Sequence, residues 1–396
     1  MGKRRKAKPG RHGNPDAVNT EGTSGHPLLT DAAPALAGIV SALIAYTFEK
    51  QLFGNLYNYP LTILLFLWLF GTTMWCAFGV MHHAEAVAMR RGEPFGTLVL
   101  TFSVIVIEVA LLASIMLHGE NNPTLARDAM FATLMIVLNG MVGVALVMGA
   151  LRYWEQDYNL AGARAFLAVI ASLSVFALVL PNYTQTEPDP SNAPGKTLLV
   201  AAITILFYGV FIVIQTVRHG AFFTEPGSED DSKRPSHAAE HDEHQAGPLG
   251  YHLAMLFVLL VTVVALAEAL AVIVDFGLEG LDLPDALGGV LIAILVLSPE
   301  GLAAFRAALD NRLQRAVNVC LGSALATIGL TIPAVLVIGL VTGLEVHLGL
   351  DQVEVVMLVV TLFVSALTFG GVRTNVLQGI VHLALFAVYL ALIFSP

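Results

Sequence analysis

Long apolar segments, separated by short polar ones, run along almost the whole chain. Eleven of them approach the length of about 20 residues that crosses the hydrocarbon core of a bilayer. They are 34–50, 58–81, 96–117, 129–151, 163–181, 197–217, 250–274, 287–305, 316–341, 353–370 and 373–394. These segments do not alternate as half-buried strands do. Since a membrane-spanning segment is a helix or part of a closed barrel, the pattern predicts an all-α polytopic membrane protein.

Two hydrophilic segments divide this pattern. Residues 1–33 are basic and then rich in Gly, Pro, Ser and Asn, which predicts a disordered cytoplasmic tail near anionic lipid. Residues 224–248 are acidic and contain histidines, which predicts a solvated cytoplasmic loop with at most weak affinity for divalent cations. Between them lie a leading helix (34–57) and a first half (58–223), and a second half follows (249–396).

The composition agrees with a membrane protein and excludes several functions. The chain is 56% hydrophobic and 13% charged, whereas soluble domains carry about 25% charged residues. Cys76 and Cys320 lie in apolar runs without a CxxC neighbour, which predicts packed core thiols rather than a disulfide framework or a zinc site. The motifs HExxH, GxSxG and glycine-rich phosphate loops are absent. We therefore predict neither an enzyme nor a resident cofactor, and no nucleic-acid partner.

The lysines and arginines predict an orientation. With the basic N-terminus in the cytoplasm and the loops alternating, only Lys50, Arg127 and Lys196 fall outside, and all other lysines and arginines fall inside. Cytoplasmic loops carry such an excess of positive residues. The C-terminus, after eleven helices, is then predicted to lie outside.

Two apolar helices carry a lone glutamate near their middle. Glu108 lies 12 residues after Gly96, which is about 18 Å along a helix. Glu300 lies 13 residues after Leu287, which is about 20 Å. Charged residues at this depth cost roughly 2.5–3.5 kcal/mol on insertion scales and usually have a function. Both acids are therefore candidate site residues near the bilayer midplane.

The two acidic helices belong to a repeat. Ala-Glu-Ala-x-Ala precedes each of them, with Glu85 and Glu268 at its second position. Each copy has five helices, an odd number, so the copies must be inverted in the membrane. Inverted repeats that meet at a midplane site are typical of secondary transporters. The predicted architecture is one leading helix plus two inverted five-helix repeats.

Glu108 and Glu300 have the chemistry of a shared cation and proton site. A hard cation prefers carboxylate oxygens, with hydroxyl, amide and carbonyl oxygens completing its shell. The same carboxylates can instead hold protons, so cation and proton compete for them. The alternative interpretation is that both acids only form hydrogen bonds between helices.

Other polar residues lie near the two acids in sequence. The candidate ligand shell consists of Thr101, Asn139, Ser298 and Ser323. Pro299 has no backbone N–H and would free the carbonyl of Leu295, so a broken helix could also offer backbone oxygens. Glu85, Glu268 and His382 are candidates for a vestibule or a proton path, with interface snorkelling or packing as the alternatives.

Several segments resemble the bacterial ChaA-type cation/proton antiporters of the calcium/cation antiporter superfamily, which also includes the CAX calcium/proton exchangers. They are 92–101, 106–111, 135–140, 178–184 and 286–301, and the resemblance extends over residues 35–396. It implies a bacterial cytoplasmic membrane protein with eleven helices and two inverted repeats, exporting Ca2+, Na+ or K+ against H+. The asparagine of the CAX motif Gly-Asn-x-x-Glu is missing before Glu108 and Glu300. Monovalent cations are therefore candidate substrates as well as Ca2+.

The expected function is thus a proton-coupled antiporter working by alternating access around Glu108 and Glu300. A sodium/calcium exchanger and a cation channel remain alternatives. An intramembrane hydrolase using Ser323 and His382 is a third, but no orienting acid accompanies that pair.

Overall fold

The computed structural model describes residues 27–54, 56–91, 95–118, 123–183, 194–226, 248–281, 283–284 and 286–394. Most of the predicted N-terminal tail and most of the predicted acidic loop lie outside these residues, and those two predictions remain untested.

Eleven long helices make up most of the described part of the chain. They are α1 (Pro27–Thr47), α2 (Tyr59–Arg91), α3 (Phe95–His118), α4 (Leu125–Tyr153), α5 (Leu160–Tyr183), α6 (Pro194–Val213, with a π-helical extension Ile214–Arg218), α7 (Leu249–Gly280), α8 (Ala286–Leu309), α9 (Leu313–Thr342), α10 (Gln352–Thr368) and α11 (Val376–Phe394). Short helical segments at Glu49–Phe53 and Gly220–Phe223 accompany them. The predicted all-α membrane protein is confirmed.

Within the described residues, eight of these helices are long and apolar enough to cross a membrane. The other three, α1, α3 and α10, contain the shorter apolar helices Asp31–Thr47, Thr101–Ser114 and Gln352–Thr368. The number of eleven spans therefore stays a prediction.

The first and last helices have other boundaries than the sequence predicted. The first apolar segment was predicted to begin at residue 34. Instead α1 begins at Pro27 and Pro34 lies inside it, where its carbonyl accepts a hydrogen bond from the buried thiol of Cys76 at 3.3 Å. Packing of α1 against α2 and α7 thus extends the helix beyond the proline. Cys76 and Cys320 are both buried and free, as predicted.

A short antiparallel ribbon replaces the first turn of the predicted last helix. Strand β1 (Glu155–Asp157) pairs with β2 (Arg373–Asn375). Arg373 forms exposed ion pairs across the ribbon with Asp157 at 2.8 Å and Glu155 at 3.3 Å. The prediction of a helix from residue 373 was wrong because pairing with a strand in a distant part of the same chain is not visible in a local apolar pattern.

Among the described residues, π-helical segments occur in α4, α5, α6 and α9, and two of these helices, α4 and α9, follow the acidic ones. A π-helical segment covers Ile136–Met141 in α4 and Thr327–Thr331 in α9. The expected break at Pro299 is absent, since α8 is helical from Ala286 to Leu309. The prediction of a broken acidic helix was therefore wrong. The π-helical segments in α4 and α9 are of a kind that frequently occurs at functional sites.

Each acidic helix packs against a helix of the other half. In the first half, α3 carries Glu108 and packs against α7 of the second half. In the second half, α8 carries Glu300 and packs against α4 of the first half. This reciprocal packing is expected when two inverted repeats share one core.

The bundle has two distinct ends. At one end α4 finishes, α8 finishes and α9 starts, and Tyr153 there donates a hydrogen bond to the carbonyl of Leu309 at 2.8 Å. We call it the arginine-rich end; it is defined by Arg152, Arg218, Arg306, Arg312 and Arg315. The opposite end is defined by the start of α4 and the end of α9.

A glycine permits close contact between α4 and α8 near the opposite end. A Cβ atom on Gly289 would lie 2.8 Å from the backbone N and Cα of Ala129, closer than real Cβ atoms approach backbone. The two helices therefore touch through their backbones at this position, which leaves little space between them.

We expect Gly289→Ala to destabilise the protein. Overpacking of a tight core typically costs 1–3 kcal/mol, so the melting temperature of the purified protein should fall by several degrees. Gly209→Ala in α6 is the matched control, because nothing lies within 4 Å of its missing Cβ. Equal melting temperatures for the two variants would contradict this contact.

Candidate functional site

Glu108 and Glu300 line the same cavity, which has a volume of about 500 Å³. Both side chains are buried, with 5% and 9% of their residue surface exposed. The lining extends from these two acids to the exposed residues Thr224 and Arg315. The cavity therefore leads from the middle of the bundle to the arginine-rich end.

Two hydroxyls hold the Glu108 carboxylate. Thr327 and Thr331 both donate to its Oε2 atom, at 3.1 and 3.0 Å. Both threonines belong to the π-helical segment of α9, so Glu108 of the first half is bound by the second half. Hydrogen bonds to an ionised group are the stronger kind.

Ser323 performs the same task for Glu300. Its Oγ atom donates to Glu300 Oε2 at 2.5 Å. Ser323, Thr327 and Thr331 follow one another at a spacing of four residues, which places them on one face of α9. One helix face therefore supplies hydroxyls to both acids.

The sequence analysis proposed Ser323 but missed Thr327 and Thr331. The signal was present, because hydroxyl residues recurring every four positions in an apolar helix form a polar face. A search for this spacing around Ser323 would have found both threonines. Which acid they contact could not have been read from the sequence, because Glu108 is 219 residues away from Thr327.

Asn139, a candidate ligand, is engaged elsewhere. Its Nδ2 atom donates to Thr361 Oγ1 at 2.8 Å, and its Oδ1 atom lies 3.2 Å from Nδ1 of His382. Nε2 of His382 lies 3.0 Å from Thr368 Oγ1. The structure thus joins Asn139 and His382 in a buried network between α4, α10 and α11, away from the two acids' hydroxyl partners.

The other two candidate ligands, Thr101 and Ser298, differ in their surroundings. Thr101 lines the cavity and forms a hydrogen bond with Tyr208 of α6. Ser298 donates a short hydrogen bond to the carbonyl of Ile294 in its own helix. Of the two, only Thr101 lies on a surface that an ion in the cavity would meet.

The two vestibule candidates, Glu85 and Glu268, also differ in their surroundings. Glu85 lines the cavity and also a neighbouring one of about 400 Å³ that contains Arg306 and Arg312. Glu268 instead accepts a short hydrogen bond from the hydroxyl of Tyr46 in α1. The structure therefore places Glu85, and not Glu268, in the polar lining near the arginine-rich end.

Charged residues surround the mouth of the cavity. Glu225 is partly buried beside Arg312 and Arg315. Burial raises the pKa of its carboxyl group above the ordinary value, while a backbone hydrogen bond from Arg315 and the two guanidinium groups act in the opposite direction. The mouth thus combines both signs of charge.

The arrangement suits transient binding of a small cation. Two carboxylates and three hydroxyls offer only oxygen atoms, the ligands that hard cations prefer. The hydroxyls donate to the carboxylates in this structure, and their oxygen lone pairs remain able to accept a cation. Among the described residues, no group of three or more His, Cys, Asp or Glu side chains could hold a metal ion.

Comparison with known proteins decides the family. The family model described as "Sodium/calcium exchanger protein" matches residues 61–217 and 251–395, which is most of the chain. The chain belongs to the sodium/calcium exchanger protein family. The members of this family are transporters rather than enzymes, and Glu108, Glu300 and their hydroxyl partners lie within the matched residues.

Relatives within the sodium/calcium exchanger family include named antiporters. The chain is 38% identical to the "Sodium-potassium/proton antiporter ChaA" of Escherichia coli over 87% of this chain and 92% of that protein. It is 43% identical to the y4hA protein of Sinorhizobium fredii over 85% of this chain and 90% of that protein. It is 26% identical to a "Ca(2+)/H(+) antiporter" of Synechocystis over 65% and 71%.

Solved structures share the fold. A Ca2+/H+ antiporter protein, YfkE, superimposes with a TM-score of 0.69 over 93% of this chain and 99% of its own, at 18% sequence identity. The H+/Ca2+ exchanger CAX gives a TM-score of 0.63 over 92% and 87%, at 12% identity. The predicted relationship to the ChaA-type antiporters and the CAX exchangers is thereby confirmed. The chain is a polytopic protein of the lipid bilayer whose family exchanges cations.

Proposed function

We propose that this protein is a secondary antiporter that exports Na+ or K+, and Ca2+ as a further candidate, in exchange for H+. Glu108 and Glu300 form the shared site, at which protons and the cation exclude each other. The observation that carries the proposal is that two buried carboxylates, one from each half of the chain, line one cavity and are held by hydroxyls of one helix.

The choice of cations rests on the relatives and on the ligands. The relative that is 38% identical is named for sodium, potassium and protons, and a more distant one is named for Ca2+ and protons. The amide of Asn139 is engaged by Thr361 and His382. The oxygen atoms around the site then come from two carboxylates and three hydroxyls. The negative charge of the carboxylates, rather than ligation by an amide, is therefore what mainly attracts the cation.

The exchange cycle follows from the cavity. With the arginine-rich end in the cytoplasm, as the distribution of basic residues predicts, the cavity of this structure opens inward. A cytoplasmic cation enters it, displaces protons from Glu108 and Glu300, and draws the hydroxyl oxygens towards itself. Rearrangement of the helices then exposes the site outside, where protons replace the cation.

The test is a proton-flux measurement in everted membrane vesicles of the bacterial cytoplasmic membrane. The vesicles are energised to an acid interior and challenged separately with Na+, K+ and Ca2+, while a pH-sensitive dye reports the lumen. We expect at least one ion to make the lumen less acid, and vesicles without the protein to show no such response. Absence of a response to all three ions, with the protein inserted, contradicts proton coupling.

The same vesicles distinguish the alternative that the family description suggests. A sodium/calcium exchanger would take up Ca2+ when a Na+ gradient is imposed, and an imposed pH gradient would not change the rate. A channel would conduct the cation without stoichiometric proton movement. Either result replaces the proposed antiport.

A further inference from the structure

A second cavity lies at the arginine-rich end, beside the one that contains the two acids. It has a volume of about 400 Å³ and lies between α2, the last part of α8 and the start of α9. One side of its lining is apolar and includes Phe78, Met81, Pro299 and Leu302. The other side is basic and consists of Arg306, Arg312 and Arg315. The cavity therefore combines an apolar wall with a positively charged end.

The apolar wall continues onto an exposed face of α8. Ile294, Ser298, Leu302 and Arg306 follow one another at a spacing of four residues, so they lie on one side of this helix. Ile294 and Leu302 are 40% and 38% exposed. The hydroxyl of Ser298 donates to a carbonyl of its own helix, which satisfies it without a partner from outside. This face of α8 has the character of a surface that contacts lipid chains.

The facing side of α2 has the same character. Trp75, Phe78, His82 and Glu85 are three or four residues apart, so they lie along one side of the helix. Trp75 is 49% exposed, and the other three line the cavity. On both helices the residues change from apolar to charged towards the arginine-rich end. The groove between α2 and α8 is thus apolar at depth and polar at its outer end.

The arginines lie at a depth that a lipid headgroup can reach. Arg306 is six residues after Glu300, which is about 9 Å along the helix. With Glu300 near the midplane of a hydrocarbon core about 30 Å thick, the Cα atom of Arg306 lies about 6 Å inside the headgroup boundary. A long arginine side chain covers such a distance by extending towards the interface. Arg312 and Arg315 follow after the end of α8, closer to the surface.

The protein offers these arginines only part of the negative charge that they need. Glu85 and Asp310 are the acids in the lining, so the three arginines outnumber them. Glu225 interacts with Arg312 and Arg315 from the main cavity. Among the described residues, the side chains of the three arginines form no ion pair. An additional anion in this cavity would therefore be bound favourably.

We propose that this cavity binds an anionic phospholipid of the cytoplasmic leaflet, with its phosphate on Arg306 and Arg312 and an acyl chain in the groove between α2 and α8. Guanidinium groups bind phosphate oxygens through paired, charge-assisted hydrogen bonds. Basic pockets between membrane helices on the cytoplasmic side bind anionic headgroups in this way. A lipid fits better than a free phosphate ion, because the exposed apolar groove leads directly away from the arginines and matches an acyl chain.

The bound lipid would also affect the entry of cations. Glu85 and Arg315 line both cavities, so the headgroup lies beside the mouth of the main cavity. A phosphate group at Arg306 and Arg312 lowers the positive potential that an entering cation meets. We expect anionic lipid to lower the cytoplasmic cation concentration for half-maximal flux. This consequence rests on the proposed function, whereas the binding of lipid does not.

Quenching of the fluorescence of Trp75 tests the lipid site. Trp68→Phe with Trp154→Phe leaves Trp75 as the only tryptophan of the chain. This protein is reconstituted in phosphatidylcholine vesicles that contain a minor fraction of brominated phosphatidylglycerol or, separately, of brominated phosphatidylcholine. Brominated acyl chains quench a tryptophan that they contact. We expect phosphatidylglycerol to quench at a fraction at least fivefold lower than phosphatidylcholine requires.

Substitutions of the arginines connect this preference with the cavity. Arg306→Gln with Arg312→Gln should abolish it, whereas Arg306→Lys with Arg312→Lys keeps the positive charge and should retain most of it. The matched control is Arg152→Gln with Arg218→Gln, which removes two exposed arginines of the same end that do not line the cavity. We expect this control to quench as the protein with native arginines does.

Three results would overturn the lipid site. The first is equal quenching by both brominated lipids, which would leave the arginines to another occupant such as the acidic segment 227–247. The second is an undiminished preference in the glutamine variant. The third is loss of the preference when inorganic phosphate is added, which would assign the arginines to a free anion. A lipid preference without cation-driven proton flux in any of these vesicles would instead support the lipid site and refute the proposed function.

Discussion

Replacing Glu300 with glutamine is expected to abolish cation-driven proton flux, at least a hundredfold below the wild-type rate. Glutamine has almost the same shape as glutamate and can still bond to Ser323, so the packing of α8 is kept. Glutamine has no negative charge to attract a cation and takes up no proton, so the variant lacks the carboxylate at which both exchanged ions bind. Glu108→Gln is expected to have the same effect, because Glu108 lines the same cavity.

The matched control for these variants is Glu268→Gln. This residue is also a glutamate within an apolar helix, but it bonds to Tyr46 in α1. We expect it to keep at least half of the wild-type flux. Flux is measured in everted vesicles, and membrane content is matched by immunoblot. Normal flux in Glu300→Gln would remove that acid from the site, and loss in Glu268→Gln alone would move the proton path to α7.

The second large effect is expected from the threonines that hold Glu108. In a Thr327→Val and Thr331→Val double variant, both hydrogen bonds to the carboxylate are lost while the side-chain volume changes little. Hydrogen bonds to charged groups contribute roughly 1.5–3 kcal/mol each, and 1.4 kcal/mol corresponds to a factor of ten in affinity. We therefore expect the cation concentration for half-maximal flux to change at least tenfold.

Serine substitutions separate the hydroxyls from the threonine methyl groups. Thr327→Ser with Thr331→Ser retains both donors, and we expect it to recover half-maximal flux within about threefold of the wild type. A serine variant as impaired as the valine variant would show that packing of α9, and not hydrogen bonding to Glu108, causes the defect. Thr361→Val provides a further control, because Thr361 bonds to Asn139 rather than to either acid.

Features that depend on one helix were predictable from the sequence. The depth of Glu108 and of Glu300 follows from counting residues along a helix, and the structure places both in one cavity. The inverted repeat was predicted from an odd helix count and from the matching Ala-Glu-Ala-x-Ala segments, and it stays a prediction. Whether the two acids bind the transported ions stays a prediction.

Features that depend on contacts between distant helices could not be predicted. Asn139 has the chemistry of a ligand, but its amide faces Thr361 and His382, and nothing in the local sequence shows this. Glu268 repeats the context of Glu85, yet Tyr46 of the leading helix, which has no counterpart in the repeat, takes it as a partner. The π segments depend on packing in the same way, whereas Pro299, the local signal for a break, is accommodated within a continuous helix.

The polar face of α9 that serves both acids couples the binding of ions at Glu108 to their binding at Glu300. Because Ser323, Thr327 and Thr331 lie on one face of the same helix, an occupant that displaces this face at Glu108 also changes the donor that Glu300 receives. Occupancy at one acid then alters the affinity at the other, and thermodynamic linkage requires that the influence be equal in both directions. The two acids are therefore expected to load and unload as a cooperative pair, so that exchange proceeds in whole steps rather than through half-filled intermediates.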